Sequence, residues 1–412
     1  MSRNILHCDM NNFYASVECM LNPQIKDYPV AVCGSVEDRH GIVLAKNYKA
    51  KNVGIKTGDT VWQAKQKAPS LIVVNPHFDI YSKYSKLARK IYQRFTDLIE
   101  PYGMDECWLD VTGTEKLYGN PEEIAHKIRK TIKKELGLTV SIGVSFNKIF
   151  SKLGSDLKKP DAVTVISEND FREKTWHLPA SSLLGVGRST KRILDSHCIY
   201  TIEDLAKADE KWLKYTLGKN GIILKNYANG LDFSPVTHQD YVYPAKSVGH
   251  GITTTEDLTT HEQVWCVMLE LTQNIAHQLR IIHKKATGVA IQIKDNKLQT
   301  KQMQSSLDIP LQSSMLIAKS AFNIFKSNYN WENNIRSVTV RAINLVNDDI
   351  SYQTDIFTNI KKFEKEERLD ECIDRIRSKF GKNCIKNGIL LQDIKMPELK
   401  PEITMPSGML KA

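Results

Sequence analysis

Asp9, near the end of Ile5-Leu6-His7-Cys8-Asp9-Met10, and the Asp105-Glu106 pair within Tyr102-Gly103-Met104-Asp105-Glu106-Cys107-Trp108-Leu109-Asp110 are carboxylates placed as two halves of one divalent-cation site. Each ends or bends a short apolar run, which is how a strand carries a charged head out of a buried sheet into a cleft. Mg²⁺ is a hard ion that takes oxygen ligands and keeps room for water and a substrate phosphate, so a carboxylate set suits it. Two such ions side by side activate an attacking oxygen and stabilise a leaving one, which is the chemistry of phosphoryl transfer. Taken singly, each segment reads more readily as an ordinary solvated turn at a strand end.

The elements that must position these carboxylates follow from the hydropathy pattern. Residues 1–10 form a buried strand running into Asp9, and Asn11 to Met20 takes helical spacing with Phe13, Val17 and Met20 on one side. From Val30 to Ile72, short apolar runs alternate with Gly34, Gly41, Gly54 and Gly58, giving a small mixed subdomain. An amphipathic helix from Tyr81 to Glu100, a hairpin at Asp105, a helix near 121–136 and a strand from Thr139 to Val144 complete a ferredoxin-like βαβ layer with the first strand. That layer serves nucleotide cyclases as well, so the fold class, α/β (α+β) and multidomain, does not by itself name the reaction.

Further along, residues 180–230 shift to short helices. Leu184-Gly185-Val186-Gly187-Arg188-Ser189-Thr190-Lys191 fits a helix-hairpin-helix whose Gly185 and Gly187 let backbone N–H groups reach a DNA phosphate, and reads equally as a plain glycine turn. Pro235 and Pro244 mark a linker. Beyond it, Arg280, Lys284, Lys285, Lys294, Lys297 and Lys301 face a single acidic residue, Asp295, between Asn274 and Gln302. Alternation in Thr287 to Lys294 and in Ser337 to Ile343 suggests an open sheet with one basic face, which would bind duplex phosphates in a salt-dependent way. Leu369, Cys372, Ile373, Ile376 and Phe380 then lie on one helical face ended by Gly381.

Composition sets the frame. The 412 residues, 41% hydrophobic, are ample for several cores, and the net charge of +10 suits a protein that tracks a phosphate backbone. Eight cysteines show no CxxC pair, which argues against a zinc site or a disulfide scaffold and for reduced thiols in a cytoplasmic protein. No stretch approaches the length of a membrane span, and the N-terminus lacks a signal-peptide pattern.

Five segments in order resemble the Y-family (translesion) DNA polymerases, in the branch of the DinB and UmuC proteins. Asp9-Met10-Asn11-Asn12-Phe13-Tyr14-Ala15-Ser16-Val17-Glu18 is similar to D-M-x-x-F-[FY]-A-x-V-E, and Met104-Asp105-Glu106 stands where the family reads S-x-D-E. Asn47 to Ile55 is similar to N-Y-x-A-R-x-[FY]-G-[IV], Gly143 to Lys148 to G-[IV]-[AS]-x-N-K, and Ser155 to Asp161 closes the set. The tail resembles UmuC-like UV-damage-repair proteins of Gram-positive bacteria and their phages.

The resemblance implies a right-hand polymerase: a palm of residues 1–10 and 75–165, fingers at 11–74, a helix-hairpin-helix thumb at 166–234, a linker at 235–244, a mixed α/β DNA-binding little finger at 245–346, and a tail at 347–412 with a helix over 364–380. It implies an error-prone DNA-directed DNA polymerase that extends a primer opposite damaged template, induced by damage and monomeric. The substrates are primer-template DNA and deoxynucleoside triphosphates, and two Mg²⁺ ions are held by Asp9, Asp105, Glu106 and the carbonyl of Met10. Phe13, Tyr14, Tyr48, Lys51 and Lys159 match the nucleotide contacts, Tyr14 being the steric gate against a ribose 2′-OH. Ile42 and Leu44 match the roof over the nascent pair, and Gly185, Gly187, Lys284, Lys285 and Lys294 the DNA-phosphate contacts. Gln353, Ile356 and Phe357 match the Q-x-x-[LI]-F peptide that docks on a sliding clamp.

The departures are informative. Lys51 replaces the usual Arg and loses the bidentate fork, Ala45 lacks a common hydroxyl, and Ile42 and Leu44 make a tighter roof than small residues would. No metal ligand is lost, which disfavours an inert relative. The alternative is a weak UmuC-like subunit that needs accessory proteins.

Overall fold

The computed structural model describes residues 3–351 and 360–397. It divides into a first unit, the chain up to Cys33 together with Ile42–Tyr243, and a second, Gly34–Gly41 together with the chain from Pro244 on. Strands of the first unit are β1 (Ile5–Met10), β2 (Val30–Cys33), β3 (Val43–Lys46), β4 (Ile72–Val74), β5 (Ile99–Pro101), β6 (Glu106–Asp110), β7 (Val140–Ser145) and β8 (Val163–Ile166). Its helices are α1 (Phe13–Leu21), α2 (Tyr48–Asn52), α3 (Val61–Lys67), α4 (Phe78–Tyr92), α5 (Glu115–Tyr118), α6 (Pro121–Leu136), α7 (Lys148–Leu157), α8 (Phe171–Thr175), α9 (Arg188–Asp195), α10 (Ile202–Lys207), α11 (Glu210–Leu217) and α12 (Lys219–Ala228).

The main sheet has the order β5-β6-β1-β7-β8, with β1 antiparallel to both neighbours and β7 parallel to β8 across the α7 crossover. Central β1 is buried along its whole length. Strand alternation sends Leu6, Cys8 and Met10 into the core shared with Tyr81, Ile91, Ile128 and Ile132 of α4 and α6, and sends Ile5, His7 and Asp9 to the opposite face. Helix α6 starts at a capping box, where Asn120 accepts from the Glu123 N–H and Glu123 accepts in return, and stops at left-handed Gly137.

Helix α7 crosses the opposite face. Asn147 caps it by accepting from the Phe150 N–H at 2.8 Å. Gly143 in β7 is what lets it lie down: a Cβ there would sit 1.9 Å from the Ser151 carbonyl oxygen and 2.5 Å from the Ser155 nitrogen.

A smaller sheet, β3-β2-β4, carries α2 and α3 over a core of Ala31, Val43, Ile55, Ala64 and Leu71. Helices α8 to α12 gather around Leu194, Ile202, Leu205, Leu213 and Leu224, a core continued by Ile149, Phe150 and Leu153 of α7.

In the second unit, β9 (Ser247–Leu258), β10 (Lys284–Asp295), β11 (Thr300–Leu311) and β12 (Ile335–Asn347) form an antiparallel sheet of order β11-β10-β12-β9, with α13 (His261–Ile281) and α14 (Ser314–Asn328) packed on one face. Register and alternation leave Gly249, Gly251, Ala290, Gln292, Lys294, Ser337, Thr339 and Arg341 on the other face. That central stretch is chiefly small and polar, with Lys294 and Arg341 as its charges, so the expected basic face is sparser than the lysine count suggested. Gly249 and Gly251 leave room for Arg341 and Thr339 to lie across the sheet, since a Cβ at either would collide with them.

The tail helix α15 (Ile360–Phe380) begins before the expected residue 364 and packs on the helical layer. Asp374 pairs with Arg280 at 2.7 Å, and Asp370 accepts from the Ser314 N–H at 2.6 Å and its hydroxyl at 2.8 Å. Among the described residues, no helix is long and apolar enough to cross a membrane, and all eight cysteines are free.

Candidate active site

Strand pairing brings the two sequence halves together. Asp9 lies directly opposite Glu106 across β1 and β6, and the Met10 N–H donates to the Asp105 carbonyl at 3.0 Å. Opposed residues of an antiparallel pair share a face, so Asp9 and Glu106 project to the side on which α7 lies. His7 is opposite both Trp108 and Gly143, where α7 comes closest to the sheet. Its Nδ1 is 2.8 Å from Ser155 Oγ and its Nε2 3.2 Å from Glu106 Oε2.

Two lysines from α7 and the loop after it close on the carboxylates. Lys152 Nζ bonds Glu106 Oε2 and lies 5.3 Å from the Tyr102 ring centre. Lys159 Nζ donates to Asp9 Oδ2 at 2.6 Å and to Asp156 Oδ1 at 2.9 Å. Asp9 is 7% exposed, and burial pushes its carboxyl up despite the pull of Lys159. Asp105 is pushed up to about 7, first by burial and then by the charges of Asp9 and Glu106. Burial would raise Glu106 too, but the contact with His7 and the ammonium of Lys152 outweigh it and hold that carboxyl at about 2. His7 itself is fully buried, and burial lowers it below the usual imidazole range.

Among the described residues, no three His, Cys, Asp or Glu side chains are already gathered into a metal shell, and Asp9 and Glu106 are each turned onto a lysine. The donor set nevertheless fits a hard cation. Three carboxylates share one sheet end, two bind ammonium groups, and the third is raised first by burial and then by its neighbours' charge.

Beside this trio, Tyr14 stacks on Tyr81 with ring centres 4.4 Å apart and donates its hydroxyl to Met104 Sδ at 3.3 Å; burial pushes the phenol up to about 12. Phe13 departs from a nucleotide contact: it is 3% exposed in the core, where it packs on Tyr14 and Tyr81. Tyr48 opens α2, which Asn47 caps by accepting from the Ala50 N–H at 2.9 Å, and Lys51 Nζ lies 5.7 Å from the Tyr48 ring centre. Ile42 is 43% exposed and forms an antiparallel bridge with Thr60, while Leu44 is half-buried in β3.

Gly185 takes a left-handed φ of 93° that favours glycine, and Gly187 stands at the N-terminus of α9 with no side-chain cap. Lys294 lies on the open face of the second sheet, and Lys284 donates to Asn347 Oδ1 at 2.5 Å. Lys285 departs from the DNA-contact expectation: it is 9% exposed and paired with Glu367 of α15 at 3.1 Å, next to an irregularity of β10 between Ala286 and Gly288. Gln353, Ile356 and Phe357 lie outside the described residues.

Sequence reasoning missed His7, Lys152 and the support beneath them. Lys148 pairs with Glu100 at 2.7 Å and lies 4.7 Å from the Trp108 ring centre. Glu100 also accepts from the Thr237 N–H at 3.1 Å and the Tyr243 hydroxyl at 3.2 Å, tying the segment after α12 to the main sheet. The signal available was Gly143, whose lack of a side chain marks where α7 seats.

The chain is similar to known proteins over most of its length. Residues 8–156 match the impB/mucB/samB family and residues 245–356 the C-terminal domain of that family. The chain is 51% identical to DNA polymerase IV of Acetivibrio thermocellus, over 95% of this chain and 98% of that one. It is 36% identical to DNA polymerase IV 1 of Bacillus subtilis, over 95% and 94%. A chimeric Y-family DNA polymerase of known structure superposes with a TM-score of 0.73 at 25% identity, covering 83% of this chain and 99% of that one.

Proposed function

The chain belongs to the Y family of DNA polymerases and is a translesion DNA-directed DNA polymerase, and we propose that Asp9, Asp105 and Glu106, with the Met10 carbonyl, hold two Mg²⁺ ions at its active site. The observation that carries this assignment is the pairing of Asp9 with Glu106 across β1 and β6, with Asp105 next to them. When bound, the ions make the primer hydroxyl more acidic and share the charge that develops on the α-phosphate.

This chain's own residues do the rest. Lys152 and His7 both engage Oε2 of Glu106, which fixes that carboxylate in one orientation and leaves its second oxygen outside these contacts. Lys159, now on Asp9, would turn to the triphosphate, which Tyr48 and Lys51, with its ammonium 5.7 Å from the Tyr48 ring centre, also contact. Tyr14 is held rigidly by its stack on Tyr81 and its bond to Met104, which suits a ring that must exclude a 2′-hydroxyl. Ile42 and Leu44 cover the nascent pair, and Phe13 acts by backing Tyr14. The N-terminus of α9 after Gly185 and Gly187, with Lys294 and Lys284, meets DNA phosphates. The enzyme works as a cytoplasmic monomer that docks on the sliding clamp through Gln353, Ile356 and Phe357.

Primer extension on undamaged and lesion-containing templates with Mg²⁺ tests the assignment. Wild type should extend alone, without accessory proteins, and Glu106→Ala should bind primer-template yet fail to extend. Extension by the variant would refute the role given to Glu106.

A further inference from the structure

Trp62 is 68% exposed, at the second position of α3, on the solvent side of a helix that buries Ala64 beneath it. An exposed indole offers a large rigid apolar face with a polar edge, the kind of surface a stacking partner uses. Its place in the fold supplies one. Thr60, two residues before it, forms the β-bridge to Ile42, so Trp62 lies two residues along the chain from the edge at which Ile42, 43% exposed, is bridged. Gly58, bonded through its N–H to the Val43 carbonyl at 2.9 Å, adds no side chain to that edge, and a Cβ there would meet nothing within 4 Å.

The charge nearby is positive. Lys65 and Gln66 stand one turn along α3 from Trp62 and are exposed, and Lys56 is exposed in the turn before the bridge; neither lysine is in an ion pair among the described residues. An exposed aromatic ring with unpaired lysines beside it is the composition of a single-strand nucleic acid platform, where the ring stacks a base and the ammonium groups follow the phosphates.

We propose that Trp62 is a stacking platform for the unpaired template nucleotide that lies just ahead of the one being copied. This deepens the polymerase reading and rests on it, because the occupant is the template strand leaving the covered pair at Ile42. The occupant's chemistry is a nucleobase face. Phosphate alone would not explain an indole.

Equilibrium binding is measured on two primer-templates, one with a template overhang of several nucleotides and one ending at the templating base, together with an overhang of abasic nucleotides that keeps the phosphates. Wild type should bind the full overhang roughly ten-fold more tightly than the abasic one, the size of one base–aromatic stack. Trp62→Ala should lose that difference and Trp62→Phe retain most of it, while both variants melt with the wild type. Discrimination by Trp62→Ala equal to that of wild type would overturn the proposal. Primer extension by wild type on the short template is run alongside: its failure would overturn the polymerase reading itself, whereas normal extension with undiminished discrimination in Trp62→Ala would sink the stacking role alone.

Discussion

Replacing Lys148 by Met should destabilise the first unit without touching its chemistry. Lys148 belongs to the Asn147-Lys148 motif, yet its ammonium points away from the carboxylate trio to Glu100, at 2.7 Å, with the two side chains only 10% and 7% exposed. Removing one member of a buried pair costs about 3–5 kcal/mol, because the other charge stays behind without its counter-ion. Glu100 would keep its bonds from the Thr237 N–H and the Tyr243 hydroxyl, which puts the loss near the lower end, about 3 kcal/mol. For a unit of this size each kcal/mol moves the melting temperature by about 2–4 °C, so the first unit should melt about 6–12 °C lower. Calorimetry resolves this. Adding Glu100→Gln to Lys148→Met should recover part of the loss, since a neutral acceptor there no longer needs the ammonium. At low temperature, where the variant is folded, primer extension should stay near wild type. A melting point within about 2 °C of wild type would show that the pair contributes little, and lost extension in folded protein would show that Lys148 acts in the site; either result refutes the reasoning.

Other perturbations follow from the same contacts. Gly143→Ala places a methyl 1.9 Å from the Ser151 carbonyl, so α7 must lift and carry Lys152 and Ser155 from the trio; extension should fall at least ten-fold with a lowered melting point, and wild-type values for both would contradict the seating role. Asp370→Ala removes an acceptor that caps α14 from outside, where Ser313 makes no cap bond of its own, and should cost about 3 kcal/mol as a lost cap plus a charged hydrogen bond, read by denaturation and by faster hydrogen exchange at Ser314. For the metal-free protein, Asp105 titrates near 3.8 when unfolded and at about 7 when folded, so between those values the folded state holds a proton that the unfolded state has lost. Its contribution to stability therefore declines as pH rises through that window, and Mg²⁺ should raise the melting temperature more at pH 8 than at pH 5; an equal rise at both would refute the link.

The sequence made the carboxylates and their order legible because strand ends and short motifs are local signals. It said less about what each motif residue does. Asn47 and Asn147 stand inside recognised motifs, and both serve as helix caps, a role their Asn–x–x spacing permits but does not distinguish from ligand contact. Lys285 is another such case. β10 is irregular between Ala286 and Gly288, so the alternation of Val289 and Ile291 does not extend to Lys285, and its burial could not be read from the strand pattern. Its partner Glu367 was out of reach of any local reading, because the ion pair joins residues on separate elements far apart in the chain. His7 and Lys152 were missed for the same reason, since their meeting depends on α7 lying flat over Gly143.

Burial raises Asp9 and Asp105 alike, and Lys159 opposes that rise chiefly at Asp9, which it touches. Two lysines serve Asp9 and Glu106, and buried His7, lowered by its surroundings, adds little positive charge at neutral pH. Asp105 is left over. It has no ammonium of its own, and it feels both neighbours, so it is the group that keeps a proton up to about pH 7. A divalent cation held by these carboxylates would supply the charge that the two lysines do not, at the expense of that proton. When the protein is alone the sheet end is balanced by a proton and two ammonium groups, and on the proposed assignment cations would take over that balance and free Lys159 for a triphosphate.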